Sequence, residues 1–526
     1  VTTHEKMKTA FHMVLAGICV VAAVLYRHQY GLKNIVKPVH AYTSRRVVTP
    51  EGLRSAAILV RDDGKILDVV DATRIPKDAV IADFGNLVIL PGLIDIHTHM
   101  NEPGRGHWEG FQTATRAAAA GGITTVVDMP INSHPATVTS SLLREKLQAA
   151  SDKLWVDAGF YGGLTQGNAG EMAQLVEEGS VLGIKAFLVH SGMDDFPNAL
   201  ESDVRVALPV LAKSQVPLLV HCELEKEGDG ELLDARAHLA ENPHSYSAYL
   251  ASRPDRMEVD AIDLMLRLAA ELNSTVPNSH RPLIHIVHLS STMALDTLKA
   301  ARESGLGVTV ETCPHYLTFE AESIPDRNTA FKCAPPIRGS ANRESLWRAL
   351  ESGLIDCIAS DHSPCPPELK LLEEGSFAKA WGGISSLQMG LSAVWTEARK
   401  RRGISLENVA RWMSTGPAQV VGLASSKGKI AANFDADFVV FDPDAKVVYG
   451  PKVLVPHGLV KEGDTYTEEI YHRHKVSPYA EKEMYGLVIR TYVRGNLVYE
   501  QGKHSLEPLG RILVRENLAK SRSSEA

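Results

Sequence analysis

"GLIDIHTHMNEPGR", residues 92–105, is an apolar run that ends in two histidines, and a proline and a glycine break the chain soon afterwards. In a strand, alternate side chains point to the same face, so His97 and His99 share a face. Two imidazoles on one face can chelate a divalent metal, and imidazole suits zinc. The pair therefore predicts a metal site where a buried strand ends. Two surface or hydrogen-bonded histidines are the alternative.

Similar apolar runs recur along the chain, separated by Gly/Pro or polar breaks and by stretches of helical length. The seven further runs are ITTVVDM, VDAGFYGG, LGIKAFLV, VPLLVHCE, LIHIVHLSS, LGVTVETCPH and LIDCIASDHS. Strands that are apolar almost throughout and alternate with helices indicate a parallel sheet buried on both faces. Eight such units predict an α/β fold of the (β/α)8, or TIM barrel, type. An open, doubly wound sheet is the alternative.

Both flanks of this region are rich in short strands. Residues 56–70 predict two strands about an Asp-Gly turn, and residues 436–449 and 486–503 each predict a hairpin. We expect the two flanks to meet as one small β-rich lobe beside the barrel.

The N-terminal segment is the most apolar part of the chain. Residues 10–26, AFHMVLAGICVVAAVLY, carry no charge unless His12 is protonated, and they stand at the lower length limit for crossing a bilayer. We expect a signal or signal anchor that directs the chain to the endoplasmic reticulum or another secretory-pathway compartment. If retained, it would associate the protein with a membrane. A buried helix of the main fold is the alternative.

These segments predict the domain organisation. We expect a signal or signal-anchor segment at 1–34, the first part of the β lobe at 35–90, the barrel at 91–430, the second part of the lobe at 431–510 and a C-terminal tail at 511–526.

Composition excludes several classes of protein. The 526 residues are 44% hydrophobic and 22% charged, which is ordinary for a globular protein. A net charge of −8 gives no reason to expect a nucleic-acid partner. The six cysteines form no CxxC pair, so they indicate neither a disulfide framework nor a thiolate zinc site, and we expect mostly buried thiols.

Three other apolar runs end in metal-binding side chains: His221, His288 and Asp361. In a (β/α)8 barrel, the C-terminal ends of the strands form the active site. These side chains are therefore expected at the same level as His97 and His99. Their convergence favours a metal site over unrelated histidines.

Lys185 lies in the middle of the apolar run LGIKAFLV. An ammonium there is costly to desolvate, so such a lysine extends to solvent, pairs or loses its charge. One hypothesis is that the amine has reacted with carbon dioxide, because the two oxygens of the resulting carbamate could bridge two metal ions. An outward-facing lysine at a strand edge is the alternative.

Several motifs together resemble those of the cyclic amidohydrolases of the amidohydrolase superfamily, over roughly residues 40–500. They are PGLIDIHTHMNEPG, GIKAF, CPHYLTF, CAPPIR and SDHSP. Within that group, SDHSPCPPELK and AWGGISSLQMG resemble segments of the allantoinases. The resemblance implies a hydrolase that opens the ring of a small-molecule substrate, allantoin, to give allantoate. A homo-oligomer is also expected.

The resemblance also implies a centre of two Zn²⁺ per subunit. One ion would be held by His97, His99, N6-carboxylated Lys185 and Asp361, and the other by Lys185, His221 and His288. The same likeness makes Asp361 the general base and then the general acid of the reaction.

Candidate substrate contacts rest on weaker patterns. They are Ser363, two residues after Asp361; Asn132 in MPINSHP; the main chain near Gly382 and Gly383; and His315 in CPHYL. Turn chemistry is the alternative for the first three sites. For His315, a supporting contact behind the metal ligands and direct metal ligation are the alternatives.

Three related proteins remain as alternatives. A dihydroorotase commonly has an arginine two residues after the His-x-His pair, where this chain has Asn101. A hydantoinase or dihydropyrimidinase tends to carry a tyrosine shortly after the bridging lysine, where this chain has His190. A non-enzymatic dihydropyrimidinase-related protein would have lost metal ligands, whereas all six candidates are present here.

Overall fold

The computed structural model describes residues 39–177, 181–277, 283–450 and 463–514. The apolar segment 10–26 and the predicted C-terminal tail beyond residue 514 lie outside these ranges. Within them, no helix is long and apolar enough to cross a membrane. The five cysteines in the described ranges are buried free thiols, in line with the sequence prediction.

The first described strands belong to the β lobe. They are β1 (His40–Thr49), β2 (Gly52–Val60), β3 (Ile66–Val70), β4 (Val80–Asp83) and β5 (Val88–Pro91). Strand β2 pairs antiparallel with β1 and with β3. The two strands predicted in residues 56–70 are therefore confirmed.

The barrel follows directly and is built from parallel strands. They are β6 (Leu93–Thr98), β7 (Ile123–Asp128), β8 (Asp157–Phe160), β9 (Gly162–Leu164), β10 (Ile184–Phe187), β11 (Leu218–His221), β12 (Leu283–Ile286), β13 (Gly307–Thr312) and β14 (Cys357–Ile358). Strands β6 to β8 pair in order, as do β9 to β14. Strands β8 and β9 are separated only by Tyr161, so they occupy one position in the barrel.

A parallel bridge between Thr98 and His362 joins the last position of the barrel to the first. The eight apolar runs thus provide the eight positions of a closed barrel, and the TIM-barrel prediction is confirmed over the open sheet. Strands β6, β7, β10 and β11 are buried along their whole length, as expected for strands covered on both faces.

Helices follow most of these strands and cover the barrel. They are α1 (Phe111–Ala120), α2 (Ser140–Ala150), α3 (Met172–Glu177), α4 (Glu201–Ser214), α5 (Gly230–Glu241), α6 (Tyr246–Ala251), α7 (Asp255–Asn273), α8 (Leu295–Glu303), α9 (Pro314–Thr318), α10 (Ser340–Glu351), α11 (Pro367–Lys370), α12 (Gly390–Glu397), α13 (Leu406–Ala410) and α14 (Gly416–Val420). Side-chain caps fix several starts; Thr139, for example, accepts a hydrogen bond from the main-chain N–H of Leu142.

The second part of the lobe completes a ten-stranded sheet. Its strands are β15 (Phe438–Gly450), β16 (Thr465–Glu469), β17 (Glu483–Val493), β18 (Asn496–Glu500) and β19 (Lys503–His504). Strand β15 pairs antiparallel with β5, so both flanks of the chain share one sheet, as predicted. The hairpin predicted at 486–503 is confirmed by the antiparallel pair β17 and β18.

The hairpin predicted at 436–449 is wrong, because this segment forms the single strand β15. Its Asp-Pro-Asp sequence resembles a turn, but the chain continues in the same direction. The register with β17 shifts between Asp442 and Lys446, and pairing resumes beyond that point. A β-bulge absorbs the turn-like residues.

A buried cluster of charges fastens the lobe to the barrel. The ammonium of Lys427 lies 2.8 Å from Asp157 at the start of β8, and 2.9 and 2.6 Å from Asp435 and Asp437, just before β15. Arg494, after β17, also bonds Asp157. The three carboxylates raise the pKa of Lys427 against the lowering effect of burial, so the cation is retained.

We expect Lys427→Met to lower the free energy of unfolding by about 3–5 kcal/mol, because buried carboxylates would lose their counter-ion. Urea-induced unfolding followed by circular dichroism measures this change. Lys446→Met removes an exposed ammonium, paired with Glu483, from the same lobe and should leave the midpoint unchanged. Equal midpoints for the two variants would show that the buried cluster does not fasten the lobe.

Candidate metal centre

All six predicted ligands line one cavity, of about 80 Å³, at the C-terminal ends of the barrel strands. His97 lies on β6 with His99 just beyond it, Lys185 lies on β10, and His221 is the last residue of β11. His288 and Asp361 follow β12 and β14. All six side chains are buried. Residues up to 264 positions apart in sequence therefore converge on one site.

One half of the cavity holds His97, His99 and Asp361. A ligand atom from each lies within 4.8 Å of the others. Oδ1 of Asp361 is 3.3 Å from Nε2 of His97 and 3.4 Å from Nε2 of His99. Two imidazole nitrogens and a carboxylate oxygen at this spacing form a donor set that suits zinc.

The other half holds His221, His288 and Lys185. The two imidazole rings lie 4.6 Å apart, and the His288 ring is 5.3 Å from that of His97. Nδ1 of His288 and Nζ of Lys185 are buried without a hydrogen-bond partner. Buried polar atoms are nearly always satisfied, so two unpartnered atoms beside one cavity indicate a missing ligand. The residues present fit a second metal ion.

The backbone at two of the ligands adopts a conformation that is rare outside glycine. His288 has φ +39° and Asp361 has φ +46°. Such left-handed conformations are costly for most residues and concentrate at functional sites. Each occurs directly after a strand end, where the chain turns while its side chain stays at the cavity.

Glu311, which the sequence analysis did not single out, orients this centre from β13. Its carboxylate contacts Nδ1 of His97, lies 3.0 Å from Nε2 of His285 and accepts a hydrogen bond of 3.1 Å from the main-chain N–H of His288. Nε2 of His97 is thereby left to face Asp361. His285 lies deeper in its strand and contacts Glu311 without lining the cavity.

Glu223 orients His221 in the same way. Its Oε2 lies 2.7 Å from Nε2 of His221, which leaves Nδ1 as the ring nitrogen free for a metal. Arg253 donates to the same oxygen at 2.5 Å. Burial raises the pKa of Glu223, but Arg253 and His221 lower it by more, to about 2, so the carboxylate is ionised. Carboxylate–histidine pairs of this kind fix the tautomer of metal-binding histidines.

Burial sets the charge of the candidate ligands. It lowers the pKa of His97, His221 and His288, which favours the neutral imidazoles that bind metals. It also lowers the pKa of Lys185 to about 8, although Asp361 opposes this shift. Burial raises the pKa of Asp361, but the neighbouring imidazoles lower it by more, to about 2.

The predicted substrate contacts fall into two groups. Asn132 and Ser363 line the cavity, and the amide nitrogen of Asn132 lies 3.1 Å from Nδ1 of His99. Gly382 lines the cavity, whereas Gly383 does not. The N–H of Gly383 donates to the main-chain carbonyl of Lys332, and its carbonyl accepts from the ammonium of Lys370.

His315 does not line this cavity. It is fully buried in α9, and its two ring nitrogens have no hydrogen-bond partner. Burial lowers its pKa to about 4, and the charges of Asp361 and His97 also act on it, so it lies near the metal-binding side chains. Its role as a substrate contact stays a prediction.

Comparison with known proteins agrees with this geometry. Residues 88–498 match the Amidohydrolase family. The chain is 44% identical over 482 residues to Allantoinase of Arabidopsis thaliana (89% of this chain, 90% of the relative) and 46% identical over 479 residues to Allantoinase of Streptomyces avermitilis (90% and 98%). Among solved structures, L-hydantoinase (dihydropyrimidinase) from Arthrobacter aurescens matches with a TM-score of 0.78 at 26% identity, over 90% of this chain and 100% of that chain.

Glu311→Gln should weaken zinc binding by about 10–100-fold, because an amide cannot accept all three hydrogen bonds from His97, His285 and His288. Competition with a coloured chelator measures the affinity. Glu322→Gln provides the matched control, because it changes an exposed carboxylate that accepts a hydrogen bond from the N–H of Ser340, the first residue of α10. Unchanged zinc affinity in Glu311→Gln would mean that the imidazoles are held without this carboxylate.

Proposed function

The chain belongs to the amidohydrolase family, and we propose that it hydrolyses the five-membered ring of allantoin to give allantoate. The observation that carries this proposal is the convergence of six metal-binding side chains on one buried cavity at the C-terminal end of the barrel. The likeness to proteins named allantoinase supports the choice of ring. A cyclic amide hydrolase is thus favoured over a non-enzymatic relative, whose ligands would be incomplete.

We propose that the centre holds two Zn²⁺ ions. His97, His99 and Asp361 would hold one, His221 and His288 the other, and Lys185 would bridge them as a carbamate. Carbamate formation joins the neutral amine of Lys185 to carbon dioxide through a new N–C bond and releases one proton. The unpartnered, buried Nζ, whose pKa is lowered to about 8, supports this chemistry. When bound, the ions would supply a hydroxide at neutral pH and polarise the ring carbonyl.

The chain's own residues would move the proton and orient the ring. Asp361 is ionised and lines the cavity, so it can take a proton from the attacking oxygen and pass it to the departing ring nitrogen. Asn132, Ser363 and the main chain at Gly382 line the same cavity and offer hydrogen bonds to a ring rich in N–H and C=O groups.

A hydantoinase or dihydropyrimidinase is the second candidate, because a solved hydantoinase shares the fold. His190 argues against it: this residue lines the cavity in the stretch where those enzymes tend to have a tyrosine. A dihydroorotase commonly has an arginine at the position of Asn101. The uncharged Asn101 is buried here and donates to the carbonyl of Pro364, which argues against that activity.

Purified protein supplied with zinc and bicarbonate should open the ring of allantoin faster than that of hydantoin or dihydrouracil. Ring opening of the three compounds is followed side by side at equal concentration. Faster turnover of dihydrouracil would instead identify a dihydropyrimidinase that uses the same mechanism. Absence of turnover and of bound metal would contradict both candidates.

Three variants test the roles of the site residues. Lys185→Ala and His97→Ala should lose bound zinc, measured by plasma mass spectrometry, and with it the activity. Asp361→Asn should lower kcat on the order of 10²–10⁴-fold, because the proton shuttle is removed. Lys299→Ala, at an exposed position on α8, is the control. Full activity in Lys185→Ala would rule out a bridging carbamate.

A further inference from the structure

A second, larger cavity of about 590 Å³ adjoins the candidate metal centre. It is called here the outer chamber, and its lining includes Arg253, Lys332, Tyr249, Phe377 and Trp381. Arg253 and Trp381 also line the cavity of the metal centre, so the two cavities share a wall.

Lys332 brings an unusual charge to this chamber. Its side chain is 9% exposed and donates to the main-chain carbonyls of Ala380, at 2.6 Å, and Ala378, at 3.4 Å. Its ammonium also lies 5.3 Å from the ring centroid of Tyr249. In the described part of the chain, no carboxylate lies within ion-pair distance of it.

The other cations of the chamber are already neutralised. Arg253 pairs with Glu223, Arg236 pairs with Glu225, and Lys379 pairs with Glu374. Lys332 therefore contributes positive charge that no neighbouring side chain balances. A buried ammonium without a counter-ion is costly, and an anion that reaches it gains a charge-assisted hydrogen bond. Burial, together with Lys370 and Arg253, lowers the pKa of Lys332 to about 7, so a bound anion would favour the protonated form of this amine.

The proposed reaction produces such an anion from an uncharged ring. Hydrolysis breaks the amide C–N bond and forms a C–O bond with oxygen from water. The departing nitrogen takes one proton, and the new carboxylic acid releases another to solvent. The product is therefore a carboxylate, whereas the substrate presents only amide and ureido groups to the same cavity.

We propose that the outer chamber is a binding site for the product carboxylate, with Lys332 as its cation and Arg253 at its inner edge. This proposal rests on the proposed function only in requiring that a cyclic amide be opened. The site would draw the carboxylate away from the metal ligands and discriminate the product from the uncharged substrate.

Product inhibition tests this site in the zinc-loaded enzyme. In Lys332→Met, the inhibition constant for allantoate should rise about tenfold or more, the loss expected for one charge-assisted hydrogen bond, while KM for allantoin changes by less than about twofold. Direct titration calorimetry of allantoate, with acetate as a comparison anion, should show the same loss for allantoate and weak binding of acetate throughout.

Lys379→Met provides a matched control. Lys379 also lines the chamber, but it is 72% exposed and already paired with Glu374. Its replacement should leave the allantoate constants unchanged.

Several outcomes would overturn the proposal. Equal losses of allantoate binding in Lys332→Met and Lys379→Met would show that the effect is not specific to the buried ammonium of Lys332. Acetate binding as tight as allantoate binding would indicate an adventitious anion only. Unchanged allantoate inhibition in Lys332→Met, with normal turnover, would reject the chamber while leaving the proposed function intact. If another cyclic amide proves to be the substrate, its own carboxylate product replaces allantoate as the probe.

Discussion

The seam at which the barrel closes is the constraint on which the candidate site depends. The main-chain N–H of His99 donates to the carbonyl of His362 at 2.8 Å, and Thr98 and His362 form the bridge between the first and last strand positions. Asp95, buried within β6, accepts hydrogen bonds of 3.1 Å from the N–H groups of His97 and Ser360. These contacts bring Asp361 against two histidines of a strand far away in sequence. Barrel closure and assembly of half of the metal centre are therefore the same structural event.

Buried lysines divide into two kinds according to their partners. Lys146 and Lys427 pair with carboxylates, at 2.7 Å from Asp128 and 2.6 Å from Asp437. Around the two cavities, Lys185, Lys332 and Lys370 have no carboxylate partner among the described residues. Because an unpaired buried ammonium is expensive, its repeated use here needs a compensating gain. The gain we infer is negative charge created by the chemistry: a carbamate at Lys185 and a product carboxylate at Lys332.

Much of this arrangement could be predicted from the sequence, because barrel topology turns a list of strand ends into one location. Five of the six ligand candidates were predicted from apolar runs that end in metal-binding side chains, and Lys185 was predicted from its place inside such a run. Glu311 and Glu223 carried a comparable signal, as carboxylates within or just after such runs, and the anomaly that drew attention to Lys185 applied to them equally. Gly383 could not be placed from the sequence, because its main chain is held by Lys332 and Lys370 through contacts distant in sequence. The bulge in β15 was missed because Asp-Pro-Asp has the same local chemistry as a turn.

The β lobe takes part in building the site as well as in extending the fold. The segment between β16 and β17 places Arg473 against Glu109, whose carboxylate accepts hydrogen bonds of 3.1 and 3.2 Å from its main-chain N–H. The same carboxylate lies 3.6 Å from Nε2 of His362, and the ring of His472 lies 5.6 Å from that of His362. His362 is the immediate neighbour of Asp361, and it forms the closing bridge of the barrel. The lobe thus packs against the closing seam, so a change in the position of the lobe would act on the residue next to the proposed general base.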